Sequence, residues 1–174
     1  EACNTSFQVH LQIDPDDFVD QYNWSQLIAG PVLAVAANSP LLMGKRLWSE
    51  TRIALFQQSV NTRNTINNVR NKEPRVSFGN KWVKDSVTDL YKDNVSRFSA
   101  LFHVDVEEDA MEMVKNGQIP SLSALNLHNG TVYKWNRPCY GVGGGKPHLR
   151  IENRYIPSGP TVLDEMATSA FWLG

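Results

Sequence analysis

Residues 5–13 alternate apolar and polar without a break: Phe7, Val9, Leu11 and Ile13 fall on one side, Ser6, Gln8, His10 and Gln12 on the other. Period-two alternation of this kind predicts a strand with one buried face. Asp14-Pro15-Asp16-Asp17 follows; it offers an N-cap, a proline at the first helical position and acid in the first turn. Behind it Phe18, Tyr22, Leu27, Ile28, Val32 and Val35 keep near-helical spacing to about Ala37, with Asn38-Ser39-Pro40 as the stop. Gly30-Pro31 should kink or split that helix. After a loop from residue 41, Thr51–Val60 reads as strand-like. The stretch 61–75 is polar and Asn-rich, which predicts a mobile loop. Arg75–Gly79 reads as a short strand. Trp82, Val83, Val87, Leu90, Tyr91, Val95 and Phe98 recur at helical spacing behind Asp85 or Ser86 as cap, predicting a helix over 82–99. A short helix around Asp109–Asn116 is closed by Gly117.

Towards the C-terminus, Asn129-Gly130 lies between Leu125-Asn126-Leu127 and Thr131–Trp135. That pair favours a type I′ turn, so a β-hairpin is expected there. The glycine run Gly141–Gly145 precedes a strand over His148–Tyr155. A last helix opens on the capping pattern Thr161-x-x-Asp164, with Leu163, Met166, Ala167, Ala170 and Phe171 as its apolar stripe. No repeat of solenoid period is present. The elements imply an α+β fold, a mainly antiparallel sheet with helices packed on one face. At 174 residues the chain holds one domain. It starts without Met and ends on Phe171-Trp172-Leu173-Gly174, so it reads as an internal piece of a longer protein.

Composition narrows the partners. With 41% hydrophobic and 20% charged residues the chain has the balance of a soluble globular protein. Seventeen basic against eighteen acidic residues leave a net charge of -1, no field to steer nucleic acid or an anionic membrane. Any anion site must therefore be local. Cys3 and Cys139 form no CxxC pair and no zinc spacing with the histidines, which argues against a disulfide framework and structural zinc. A cytoplasmic, reducing setting is the expectation; no apolar run reaches the roughly 18–20 residues of a spanning helix, and no leader pattern opens the chain.

The chemistry concentrates in His148-Leu149-Arg150-Ile151-Glu152-Asn153-Arg154-Tyr155. Alternation puts Leu149, Ile151 and Tyr155 on the core face and His148, Arg150, Glu152 and Arg154 on the other. An Arg-Glu-Arg ladder can be a self-neutralised solvent face, stabilising by about 0–1 kcal/mol per pair. It can also be a site, since a carboxylate ligates hard cations and guanidinium forks match phosphate oxygens. Gln8 and His10 form a second polar face, on the N-terminal strand.

Phe7-Gln8-Val9-His10-Leu11, Ala37-Asn38-Ser39-Pro40, Trp48-Ser49-Glu50-Thr51-Arg52 and Leu149-Arg150-Ile151-Glu152-Asn153-Arg154 stand in the order seen in glutamate–cysteine ligases of the carboxylate–amine ligase type. Over most of its length the chain resembles that family, within the glutamine synthetase superfamily. The resemblance implies a curved antiparallel sheet with Mg·ATP and glutamate on its polar face, the chain being the C-terminal part of a larger catalytic domain. It further implies phosphorylation of a glutamate side-chain carboxylate to an acyl-phosphate, then displacement by an amine such as cysteine, as in glutathione biosynthesis. Carried over by position, Glu152 and Gln8 would meet the metal, His10 and Arg150 the ATP, Arg150 and Arg154 the reacting phosphate, and Arg52 the amino-acid substrate. Glutamine synthetases carry two histidines on the first strand, where this chain has Gln8 and then His10. The family's further acidic ligands lie on earlier strands, so the piece alone should bind Mg·ATP weakly and turn over nothing.

Other features carry less. Gly141-Val142-Gly143-Gly144-Gly145-Lys146 lacks the phosphate-loop pattern and precedes a strand, so it reads as a hinge. Cys139 has no paired His motif and reads as a packed thiol. His103 and His128 stand alone, and Ser39 lacks a nucleophile-elbow context. Arg63, Arg70, Lys72 and Arg75 form a basic loop without aromatics to stack bases. An incomplete sheet exposes edges and apolar surface, which favours a homo-oligomer. Two other readings stay open: a non-catalytic nucleotide or amino-acid sensor, and a structural domain whose charged face packs on a partner.

Overall fold

The computed structural model describes residues 4–60, 73–105 and 107–174. In chain order the elements are β1 (Val9–Ile13), a 3-10 turn (Pro15–Asp17), α1 (Phe18–Leu27), α2 (Ala29–Ala36), β2 (Leu41–Leu42), β3 (Lys45–Arg46) and α3 (Thr51–Ser59). Then come β4 (Val76–Ser77), α4 (Val87–Arg97), α5 (Ala110–Lys115), α6 (Ser123–Gly130), β5 (Tyr133–Lys134), β6 (Asn136–Gly143), β7 (Lys146–Asn153) and α7 (Val162–Leu173). Helix and antiparallel strand mix as an α+β fold. The central sheet is antiparallel in the order β1-β7-β6, while β4 and β5 form a small parallel pair. Among the described residues no helix is long and apolar enough to cross a membrane.

β6 and β7 are one hairpin, and its turn is Gly144-Gly145, with φ of 56° and 74°. Both turn positions need a positive φ, which side chains with a Cβ resist. The glycine run is thus a turn rather than a hinge. Counting outwards pairs Gly143 with Lys146 and ends by pairing Asn136 with Asn153. On the other side β7 pairs with β1, Val9 opposite Asn153 and Ile13 opposite Leu149.

One face of this sheet is dry. Leu149 and Ile151 pack with Phe18 and Tyr22 of α1, Leu90 of α4, and Val83. Phe18 stacks on Tyr22 with centroids 5.4 Å apart. A polar tie crosses the same interface: Tyr22 Oη donates to Asn136 O at 3.0 Å, and Asn136 Nδ2 donates to Ser25 O and Gln26 Oε1 at 3.0 and 2.8 Å. A second apolar cluster joins Ala29, Val32, Val76, Trp135, Tyr155, Ile156 and Trp172.

Several expectations hold. Asp14 caps the 3-10 turn that leads into α1, Ser86 and Asp89 form the capping box of α4, and Thr161 and Asp164 that of α7. The helix after β1 splits at Ile28, just before Gly30-Pro31.

Others are corrected. The segment read as a strand over Thr51–Val60 is helix α3 and its C-cap Val60, because Ile53, Phe56 and Val60 recur at helical spacing and pack on the second cluster. Asn129-Gly130 is not a hairpin turn: it ends α6, Gly130 lacks a positive φ, and Asn129 Nδ2 donates to Pro138 O at 2.8 Å. The apolar stripe chosen for α7 points outward, with Leu163 and Met166 79% and 58% exposed, while Trp172 is buried. Leu27 and Val35 are exposed as well. Arg75 does not belong to a solvated loop: it is buried, donating to Thr131 O and Ser99 O at 3.1 and 2.7 Å. Arg63, Arg70 and Lys72 lie outside the described residues.

The hairpin geometry is testable by substitution. Gly145→Ala should cost about 1–2 kcal/mol in urea unfolding, the strain of a left-handed residue with a Cβ. Gly143→Ala, in a strand where the added Cβ would meet nothing closer than 3.6 Å, should stay within about 0.5 kcal/mol of wild type.

Candidate active site on the polar face of the sheet

The face of β7 opposite the core carries His148, Arg150 and Glu152, as alternation predicts, and Arg154 follows just beyond the strand. Register decides what stands beside them. Across β1, His10 faces Glu152 and Gln12 faces Arg150; across β6, Arg137 faces Glu152 and Cys139 faces Arg150. His10, Glu152 and Arg137 therefore form one row over three strands.

Glu152 sits at the centre of that row and is only 3% exposed. Arg137 Nε donates to Glu152 Oε2 at 2.7 Å, and Arg137 Nη2 lies 2.6 Å from the same oxygen. The Cys139 thiol also donates to Oε2, at 3.3 Å. The other oxygen, Oε1, faces Arg154 Nε at 3.6 Å and His10 Nε2 at 3.8 Å. Burial raises the Glu152 pKa, but Arg137, Arg154 and the hydrogen bonds from Arg137 and Cys139 outweigh it, and the carboxyl ends below its ordinary value. The Cys139 thiol moves the opposite way, pushed up to about 11 by burial and by the Glu152 charge. It is protonated and serves as a donor, not a nucleophile.

Arg154 is held from several sides. Its N–H donates to Trp135 O at 2.9 Å. Its guanidinium carbon lies 5.5 Å from the Tyr133 ring centroid and 5.9 Å from that of Phe56, a cation–π pocket. Arg154 Nε and Nη1 and Arg150 Nε are buried without a hydrogen-bond partner. Buried donors left open in this way are costly unless an acceptor comes to them. Gln8 and His10 are exposed on the first strand's polar side, and His10 is the one that reaches the row.

Arg52 lies behind the face rather than on it. It is 5% exposed, and its donors go to Asn4 O, Tyr155 O and Arg154 O at 3.3, 3.1 and 2.9 Å. It bears on the site through the backbone of Arg154. Two of the quoted sequence stretches meet beside it: Glu50 accepts from Asn38 N–H at 3.3 Å and from the Ser39 hydroxyl, and Ser39 bridges Glu50 in the backbone. His128 bonds Phe98 O at 2.8 Å and His103 is exposed; neither joins the site.

At the far end of β7 lies a cavity of about 590 Å³ lined chiefly by Ile13, Tyr91, Leu125, Tyr140, His148 and Leu149. His148 crosses closely over Gly141, where a Cβ would stand 2.7 Å from Nε2. From His148 to Glu152 the strand runs about 13 Å, so cavity and ion cluster occupy two ends of one strip.

The donor set suits the implied groups unequally. Open guanidinium donors on Arg150 and Arg154 suit the oxygens of a polyphosphate. A divalent cation does not fit as the face is arranged: the one central acid is shared among guanidiniums, and no group of three or more His, Cys, Asp or Glu able to hold a metal occurs among the described residues.

Arg137 and Cys139 were missed by sequence reading. Treating Gly144-Gly145 as a two-residue hairpin turn and counting back places Arg137 opposite Glu152, so the signal was present.

The polar face of the antiparallel sheet thus gathers guanidiniums round a buried acid. The profile of glutamate-cysteine ligase family 2 (GCS2) matches residues 1–172, and the chain belongs to this family, whose chemistry is of the ligase kind. No curated protein and no solved structure matches the chain.

Acid sensitivity follows from Glu152. With its native pKa depressed, the carboxylate contributes stability above the unfolded carboxylate range and loses it as pH falls through the native value. Between about pH 5 and pH 3 the Tm of wild type should fall more steeply than that of Glu152→Gln, measured by thermal scans. Parallel curves would show that the cluster does not govern acid unfolding.

Proposed function

We propose that the chain is part of an ATP-dependent ligase that joins a glutamate side-chain carboxylate to an amine, with cysteine the foremost candidate acceptor. The observation that carries this reading is the pair of arginines, Arg150 and Arg154, with buried N–H groups left open on a face built round Glu152. Family membership supplies the ligase class. ATP, when bound, supplies the phosphoryl group that activates the carboxylate towards the amine.

The roles of the residues follow from their surroundings. Arg150 and Arg154 bind anionic oxygens and neutralise charge as it develops, the largest contribution a protein makes to phosphoryl transfer. Glu152 holds Arg154 on one side while Phe56 and Tyr133 hold its plane, so the guanidinium is oriented before any substrate arrives. His10 stands at the solvent edge of the row, 3.8 Å from Glu152 Oε1, where it can meet the nucleotide phosphates. The cavity at the other end of β7 has the size and apolar lining for the nucleoside. Arg52 supports substrate binding by fixing the Arg154 carbonyl.

The second reading is a non-catalytic sensor of nucleotide or amino acid, which the same open donors would serve. The test is ADP release by the full-length protein with Mg·ATP, glutamate and a panel of amines. Glutamate- and amine-dependent release is expected, falling about 100-fold or more in Arg154→Gln. Binding of ATP with no release for any amine would leave the sensor, and no binding at all would make the face structural.

A further inference from the structure

The acid that the family resemblance assigns to a metal already has a cation. Arg137 stands opposite Glu152 across the β6–β7 pairing and aims Nε and Nη2 at the same oxygen, Oε2, at 2.7 and 2.6 Å. The Cys139 thiol proton points to that oxygen too. Oε1 is approached only at ion-pair range, by Arg154 at 3.6 Å and His10 at 3.8 Å. A hard divalent ion takes oxygen ligands at about 2.0–2.6 Å. On Oε2 it would meet the guanidinium and thiol hydrogens head-on, and from the side of Oε1 it would face two further potential cations. Arg137 cannot simply leave, because a buried carboxylate stripped of its partner is strongly unfavourable. The two side chains are unequally placed, however: that of Arg137 is 18% exposed and that of Glu152 4%. The Arg137 side chain is therefore the more solvent-accessible of the pair.

We propose that Arg137 is the resident cation of Glu152 and a lock on it, so that a lone divalent ion cannot gain the carboxylate while the guanidinium holds Oε2. This exclusion holds whether or not the ligase reading does.

The test uses Mn²⁺ alone, with no nucleotide, titrated into the full-length protein and followed by the loss of its free-ion electron paramagnetic resonance signal. Arg137→Gln is expected to bind Mn²⁺ at least about tenfold more tightly than wild type, the scale on which neighbours of a ligand tune metal affinity. The double variant Arg137→Gln/Glu152→Gln should lose that gain. Arg137→Lys keeps a charge but not the fork, and is expected to bind about threefold more tightly than wild type; it carries the test alone if the Gln variant does not fold. Equal Mn²⁺ affinity in wild type and variants would overturn the lock, as would a gain that survives in the double variant. ADP release plays no part in these titrations, so a failed ligase reading and a failed lock are told apart.

Discussion

Placing one carboxylate in the buried middle of a three-stranded sheet obliges the chain to bring cations and polar groups to it, and the layout around Glu152 meets that demand. An isolated buried anion costs several kcal/mol after relaxation. Here His10 comes from β1 and Arg137 from β6, each as the direct cross-strand partner of Glu152, while Arg154 follows two residues along. The arrangement hangs on register. A slip of one residue would turn Arg137 into the core and present Pro138 or Asn136 to the acid. Two features prevent the slip: the Gly144-Gly145 turn, which sets the hairpin count, and the Tyr22–Asn136 tie, which fastens the start of β6 to α1.

Around this row the fold adds supports that have no contact with the carboxylate. Arg52 ties the carbonyls of Arg154 and Tyr155 to the N-terminal segment through Asn4. Glu50, in the turn before Arg52, holds Asn38 and Ser39. These links run from α3 and the end of α2 to the residues just past β7. A buried ion cluster is weak evidence for stability, since apolar residues of the same volume often do as well.

Much of this site was legible because strand alternation is simple. The split of Leu149, Ile151 and Tyr155 from Arg150, Glu152 and Arg154 follows from period two alone, and burial bears it out for the apolar set. The capping box at Thr161 was equally plain, and the cap of α4 fell to Ser86 of the two candidates Asp85 and Ser86, since caps depend on neighbours in sequence. What failed depended on distant partners. Asn129-Gly130 has the chemistry of a tight turn, yet Asn129 is claimed by the Pro138 carbonyl and the pair stays helical. With the hairpin misplaced there, β6 had no partner, and Arg137 could not be seen opposite Glu152. The segment read as strand-like after the loop is α3, because packing of Ile53, Phe56 and Val60 on one cluster favours the helix.

The charge on this face runs against that of the whole chain. The sequence carries a net -1, while the polar face sets Arg137, Arg150 and Arg154 against the single acid Glu152. Composition alone does not reveal this local excess of cations, and no long-range field accompanies it. The excess is made locally, where low dielectric strengthens each interaction. Glu152 does not cancel it. By engaging Arg137 through Oε2 and Arg154 through Oε1, the carboxylate orients two cations, and leaves Arg150 Nε and the far nitrogen of Arg154 without an acceptor. Without that acid the guanidiniums of Arg137 and Arg154 would lose their common partner. With a single buried acid, three guanidiniums and one carboxylate share the face, and its charge stays positive.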